Sequence, residues 1–229
     1  MQKIQARKRK YQTPAAMFED RKEAGIELGK ALAKYKDEHP IVIGIPRGGI
    51  ETAYYVAKEL NAPLIPVVSR KLGHPQQPEY AMGAIAEDGS YYLAPWARSE
   101  ISQEELEEVK NKEQKEIFRR VQLLRNGKAL PSMEGKVVIV VDDGIATGST
   151  LFATLELCQK QKPKQLVVAA PISGMHACRE LKQLADQVLI LETPEDFRAV
   201  SQGYVSFSNL SDEETLEFLK KYEQEFNTQ

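Results

Sequence analysis

The chain has 229 residues, 42% of them hydrophobic, and a formal net charge of −2 at neutral pH. That size and apolar fraction support one large domain with a full core, and the near-neutral balance removes any overall pull toward nucleic acid or an anionic membrane. No apolar run approaches the ~18 residues that a membrane helix needs, and the first residues lack the apolar stretch of a secretory leader, so a cytoplasmic protein is expected.

Cys158 and Cys178 fall in helix-patterned segments with no partner at metal-ligand spacing, and read as reduced thiols in or near the core. The basic run of Lys3 and Arg7 to Lys10 is the one local exception to that lack of pull. It reads as a solvated tail rather than a nucleic-acid arm. There is no internal repeat and no low-complexity tract.

In chain order, Thr13-Pro14 predicts a helix start, with Thr as cap and Pro at the first helical position, and the helix runs to about Asp37. Residues 41–45 read as a short buried strand, 46–49 as a tight loop, 50–60 as a helix and 64–68 as a second strand. Residues 69–82 hold Pro75, Pro78, two glutamines and His74, and read as a long mobile loop in which His74 is solvated. A hairpin is expected over 83–94 around Glu87-Asp88-Gly89-Ser90. The charged segment 99–126 reads as a helix, acidic at its start and basic at its end as the helix dipole prefers, with Gly127 as its stop. Strand 137–141, a helix from Ser149, strand 166–170, helix 174–185 and strand 187–191 follow. Residues 193–210 read as irregular, and Ser211 to Glu214 form a capping box opening a last helix over about 212–226. Alternating strands and helices define an α/β fold, a mostly parallel sheet flanked by helices.

One segment carries most of the chemistry. Val137 to Val141 are five β-branched residues, and they end at two adjacent carboxylates, Asp142 and Asp143. Gly144 to Thr150 follow as a turn of small and hydroxyl residues that opens a helix. Bare backbone N–H groups in the turn and at the helix start make an anion cradle. Carboxylates at a strand end suit sugar hydroxyls or a neighbouring magnesium ion. Residues 44–49, Gly-Ile-Pro-Arg-Gly-Gly, form a second loop at a strand end, with glycines that permit close approach and a guanidinium fork suited to phosphate. Ligands of such sheets bind beyond the carboxyl ends of the strands, so Arg47 and Asp142 can face one pocket although about 95 residues separate them. Arg70-Lys71 adds two adjacent cations after a strand.

The order hydrophobic strand, two acids, small residues, Thr147-Gly148-Ser149-Thr150 resembles the 5-phosphoribosyl pyrophosphate (PRPP) motif of the type I phosphoribosyltransferases. Phe18 to Arg21, Ala24-Gly25, Leu28 and the Ile-Pro-Arg-Gly-Gly loop are similar to an unassigned bacterial group of that family. The resemblance covers roughly residues 14–226, with only 137–151 highly specific. It implies a single domain over 1–229, covered by a variable hood drawn from 11–38, 83–126 and 193–210. It implies that Asp142 and Asp143 hold the ribose hydroxyls and reach Mg2+ directly or through water. Ala146, Thr147, Gly148, Ser149 and Thr150 would bind the 5′-phosphate, and Arg47, Gly48 and Gly49 the pyrophosphate. Arg70 and Lys71 would be the catalytic cations, on a loop that closes over the site. The implied reaction moves the phosphoribosyl group from PRPP to a nitrogen acceptor such as a nucleobase, with release of pyrophosphate. Some purine-specific members carry an Asp where Ala146 stands, which argues against a hypoxanthine–guanine enzyme of that kind. Phe197, Tyr204 and Phe207 could stack on a base or form hood core. Dimers are common in the family, and a homodimer is implied by that analogy alone. A non-catalytic PRPP-binding regulator is the alternative. A phosphatase or kinase is disfavoured, since there is neither a Walker A loop nor a spaced Asp-x-Asp at a strand end.

Overall fold

The computed structural model describes residues 17–226. Strands β1 (Ile41–Gly44), β2 (Leu64–Pro66), β6 (Val137–Val141), β7 (Gln165–Ile172) and β8 (Gln187–Glu192) form a parallel sheet in the order β2-β1-β6-β7-β8. The remaining strands, β3 (Ser69–His74), β4 (Gln77–Ala86) and β5 (Tyr91–Leu93), form a separate antiparallel sheet.

β6 is the middle strand, and period 2 divides its side chains between two cores. Val138 and Val140 pack with Leu151, Leu155 and other residues of α5 (Ser149–Lys160), and with α6 (Met175–Leu184). Val137, Ile139 and Val141 pack on the opposite face with α2 (Gly48–Leu60) and, through Tyr222, with α7 (Asp212–Phe226). All five are essentially without solvent exposure, which explains why the run carries no alternation. Ile139→Ala is expected to cost about 2–5 kcal/mol of stability, because it opens a cavity in a strand that cannot collapse from either side. Chemical denaturation with an unchanged m-value tests this.

α4 (Gln103–Arg125) lies over the small sheet, with Leu106, Ile117 and Leu124 against Val68, Leu72, Met82 and Ile85. It starts at a reciprocal capping box between Ser102 and Glu105, and a short helix α3 (Ala97–Glu100) precedes it. α7 begins with the expected exchange between Ser211 and Glu214. α4 stops at Asn126, which is left-handed as is Gly127 after it.

Two expectations are corrected. The first helix, α1, spans Arg21–Ala31 and is capped by the Asp20 side chain. Residues 17–20 are not helical; the proposed start at Thr13-Pro14 lies outside the described residues, as does the basic run 3–10. Here the chain bonds the tail: Met17 and Phe18 donate backbone N–H groups to Gly203, and Val205 donates to Phe18. Tertiary pairing outweighs local helix preference over these residues. The helix also ends earlier than predicted, giving way to a 3-10 turn over Ala33–Glu38.

The second correction concerns 69–82, which is a paired hairpin rather than a loop. Leu72 and Met82 are fully buried beneath α4, and the prolines sit near the tip, where few ladder bonds are lost. Residues 193–210 are mostly irregular, with one 3-10 turn over Val200–Gly203. No helix among the described residues is long and apolar enough to cross a membrane.

Candidate active site

Three chain segments meet at the carboxyl ends of β1 and β6. Ile45 donates its N–H to the Val141 carbonyl, so the loop after β1 starts alongside the end of β6. The Pro46–Arg47 peptide bond is cis, and α2 begins directly at Gly48. A Cβ on Gly48 would lie 2.0 Å from Asp143 Oδ2, and one on Gly49 would lie 2.7 Å from Asp142 Oδ1. The two glycines therefore face the two aspartates one to one. Their absence of side chains is what lets the loops touch.

Both carboxylates are largely withdrawn from water. Burial first, then the charge of Asp143, pushes the Asp142 carboxyl well above the usual carboxylate range. Burial also pushes Asp143 up, and Arg21 opposes the shift. Asp143 N–H donates to Asp142 Oδ1 at 2.9 Å.

Arg21 ends the Phe18–Arg21 stretch that carries part of the family resemblance, but the sequence gives it no role at the site. Its Nε donates to Asp143 Oδ2 at 2.8 Å and its Nη1 to the Ser208 carbonyl at 2.9 Å. Glu51 lies 3.7 Å from Nη1, and the guanidinium carbon stands 4.0 Å from the centre of the Phe207 ring. The available signal is its place just after Asp20, a capping residue type, which puts it in the first turn of α1. Tyr204 adds a further tie, since its hydroxyl donates to the Asp143 carbonyl.

The turn after β6 is anchored by a bond from Ile145 N–H to the Ile172 carbonyl, then enters α5 through Gly148, left-handed at φ +76°. Among the described residues, the backbone N–H groups of 146–150 make no hydrogen bond. Ala146 and Thr147 are exposed, Ser149 and Thr150 half-buried. Open donors at a helix start are the kind of groups that take up an anion.

Arg70 and Lys71 lie on β3. Arg70 is fixed by an ion pair to Glu113 of α4 at 2.8 Å, so it is not a free loop cation. Lys71 is exposed. The hydroxyls of Ser69 and Thr154 share a 2.8 Å hydrogen bond that joins the hairpin to α5. Neither Glu113 nor this pair has a sequence signal, because both depend on which elements pack together.

A cavity of about 840 Å³ opens over this junction. Arg47, Gly48, Arg70, Lys71, Asp143 and Thr150 all line it. Gly49, Asp142 and residues 146–149 do not. His74 also lines the cavity, and its ring stacks on Trp96 rather than standing free. Of the three aromatics considered, Tyr204 is buried core, against Phe18 and Ile172. Phe207 reaches the cavity, and Phe197 is half-buried against that core.

The sequence pattern of the phosphoribosyl transferase domain matches residues 15–205. The chain belongs to that family. It is 38% identical over 212 residues to the Mycobacterium tuberculosis protein "Putative phosphoribosyl transferase Rv0571c". That match covers 92% of this chain and 48% of the relative, so the chain spans about half the length of the curated relatives it matches. Among solved structures, TT1426 from Thermus thermophilus is 36% identical, with a TM-score of 0.77 over 90% of this chain and 98% of that one.

Proposed function

We propose that the protein transfers the 5-phosphoribosyl group from PRPP to a nitrogen acceptor, with release of pyrophosphate. One observation carries the reading. Arg47 and Arg70 from two separate segments, Gly48 of the glycine loop, Asp143 of the aspartate pair and Thr150 at the helix start border one cavity. That combination matches a ligand with a sugar flanked by two phosphate groups.

In this reading the five open N–H groups of 146–150, with the hydroxyls of Thr147, Ser149 and Thr150, hold the 5′-phosphate. Asp142 and Asp143 accept from the ribose hydroxyls. Arg47 and the backbone of Gly48 and Gly49 hold the pyrophosphate, with Arg70 and Lys71 offsetting charge on the leaving group. The acceptor nitrogen forms its bond to the ribose C1 as the C1–oxygen bond breaks, pyrophosphate departs with the electron pair, and the acceptor's N–H proton passes to solvent or to the departing pyrophosphate. The protein's part is orientation and charge stabilisation. Ala146 supplies no carboxylate to take the acceptor's proton. Acceptor contacts would come from the proposed hood, above all from 17–38 and 193–210, which join beside Asp143 through Phe18 and Tyr204.

The donor set also fits magnesium arriving with its substrate. Among the described residues no group of three or more His, Cys, Asp or Glu could hold an ion alone. A magnesium ion commonly uses one or two carboxylates and completes its shell with phosphates and water, and Asp142 and Asp143 suit that role. When bound, it would supply positive charge to the pyrophosphate.

The test is pyrophosphate release from PRPP and magnesium across a panel of purine and pyrimidine bases. Release with one base supports the transferase. PRPP binding without release would favour a regulator that only senses PRPP. Arg47, exposed and without an ion pair among the described residues, gives a cleaner check than the buried groups. Arg47→Gln is expected to raise KM for PRPP about tenfold or more, the loss of a charged hydrogen bond, with Tm unchanged.

A further inference from the structure

We infer that Arg21 is itself a ligand of the pyrophosphate end of the substrate, an inference that rests on the PRPP reading above. The side chain is 5% exposed and belongs to an element that lies outside all the expected phosphate-binding segments. Two of its three nitrogens are committed: Nε to Asp143 and Nη1 to the Ser208 carbonyl. Nη2 has no partner among the described residues, and Arg21 lines the cavity.

The direction of Nη2 follows from Gly48. A Cβ built on that glycine would lie 2.9 Å from Arg21 Nη2 and 2.0 Å from Asp143 Oδ2. The unbonded nitrogen therefore stands beside the loop proposed to cradle pyrophosphate, on the same side as the aspartate. Its two N–H groups are fixed there because the rest of the fork is held by a carboxylate, a carbonyl and the Phe207 face. Such a fork loses little freedom on meeting a phosphate oxygen. The arrangement places one guanidinium between both halves of the ligand, its Nε on the carboxylate at the ribose side and its Nη2 on the phosphate side.

A lysine could keep the charge opposite Asp143 but could not serve Asp143, Ser208 and a phosphate together. Arg21→Lys is therefore the informative variant, and Arg21→Gln the severe one. The experiment measures binding of PRPP, inorganic pyrophosphate and ribose 5-phosphate, each with magnesium, by titration calorimetry on the full chain. Tm is followed in parallel. The expected result for Arg21→Lys is a near-parental Tm, a loss of about tenfold or more for PRPP and pyrophosphate, and ribose 5-phosphate within about threefold of the parent. Arg21→Gln should show the same selectivity if it folds. Pyrophosphate affinity unchanged in Arg21→Lys overturns the inference. So does a loss confined to ribose 5-phosphate, which would reduce Arg21 to a positioning residue for Asp143. Failure of the parent protein to bind PRPP at all would instead remove the reading beneath it.

Discussion

Replacing both Asp142 and Asp143 by asparagine is expected to abolish measurable PRPP binding and turnover while leaving the sheet folded. The two positions should differ in what they do to stability. Asp142 is a buried carboxyl raised by burial and by a like charge next to it, so at neutral pH its ionised form is held against a penalty. A carboxyl raised in the folded state favours unfolding as pH climbs from its unfolded value through its folded one, since the folded protein then binds more protons. Asp142→Asn removes that penalty, and Tm at neutral pH should match or exceed the parent's. Asp143 is the partner of Arg21, and removing one member of a buried pair costs about 3–5 kcal/mol when the other is left bare. Asparagine retains one oxygen for Arg21 Nε, which should hold the loss at the low end of that range. Activity should fall by about a hundredfold or more for each single variant, in line with removal of a fixed electrostatic group. Calorimetric titration with PRPP, beside thermal melts of all three variants, separates the two effects. Unchanged affinity in the double variant would falsify the assignment of the ribose site.

Gly48→Ala should be nearly as damaging, for a steric reason. One methyl would lie 2.0 Å from Asp143 Oδ2 and 2.9 Å from Arg21 Nη2, far inside contact distance. The loop, the aspartate or the arginine has to move, and overpacking of this kind costs about 1–3 kcal/mol. The larger effect is functional, since the displaced groups are the proposed ligand contacts. A misplacement of about 1 Å can cost about a hundredfold in rate. The checks are kcat and KM for PRPP beside Tm. A variant with parental kinetics would mean that the loop tolerates the shift and that the glycine–aspartate contact is not part of the site.

Much of this site was legible because its residues are local in sequence. Five β-branched residues running into Asp142, Asp143 and a small-residue turn can do little else than end a buried strand and start a helix, and β6 and α5 follow suit. The glycine loop was readable as a turn, though the sequence suggested phosphate approach as its purpose. The structure adds a second one, clearance for the aspartate pair. Arg21 and Glu113 were illegible for the opposite reason. Each acts through a partner far along the chain, Arg21 on Asp143 and Glu113 on Arg70, and no local pattern encodes such a pairing. The hairpin over 69–86 was hidden by composition. Its prolines and glutamines lie around the tip, while Leu72, Met82 and Ile85, the residues that fold it under α4, are spaced too widely to read as a strand.

The contact between Arg21 and Ser208 closes a loop of 187 residues, and the bridge from Phe18 to Tyr204 runs beside it. Contacts so distant in sequence form late in folding, because a long loop must close before they gain anything. On a ribosome the strands of the parallel sheet emerge first, and Asp143 has no anchored arginine until the segment near Ser208 is made. The protein should therefore gain its fold before it gains its binding site. Protease cleavage within 193–210 should reverse that order, leaving a folded sheet whose ligand contacts have come apart.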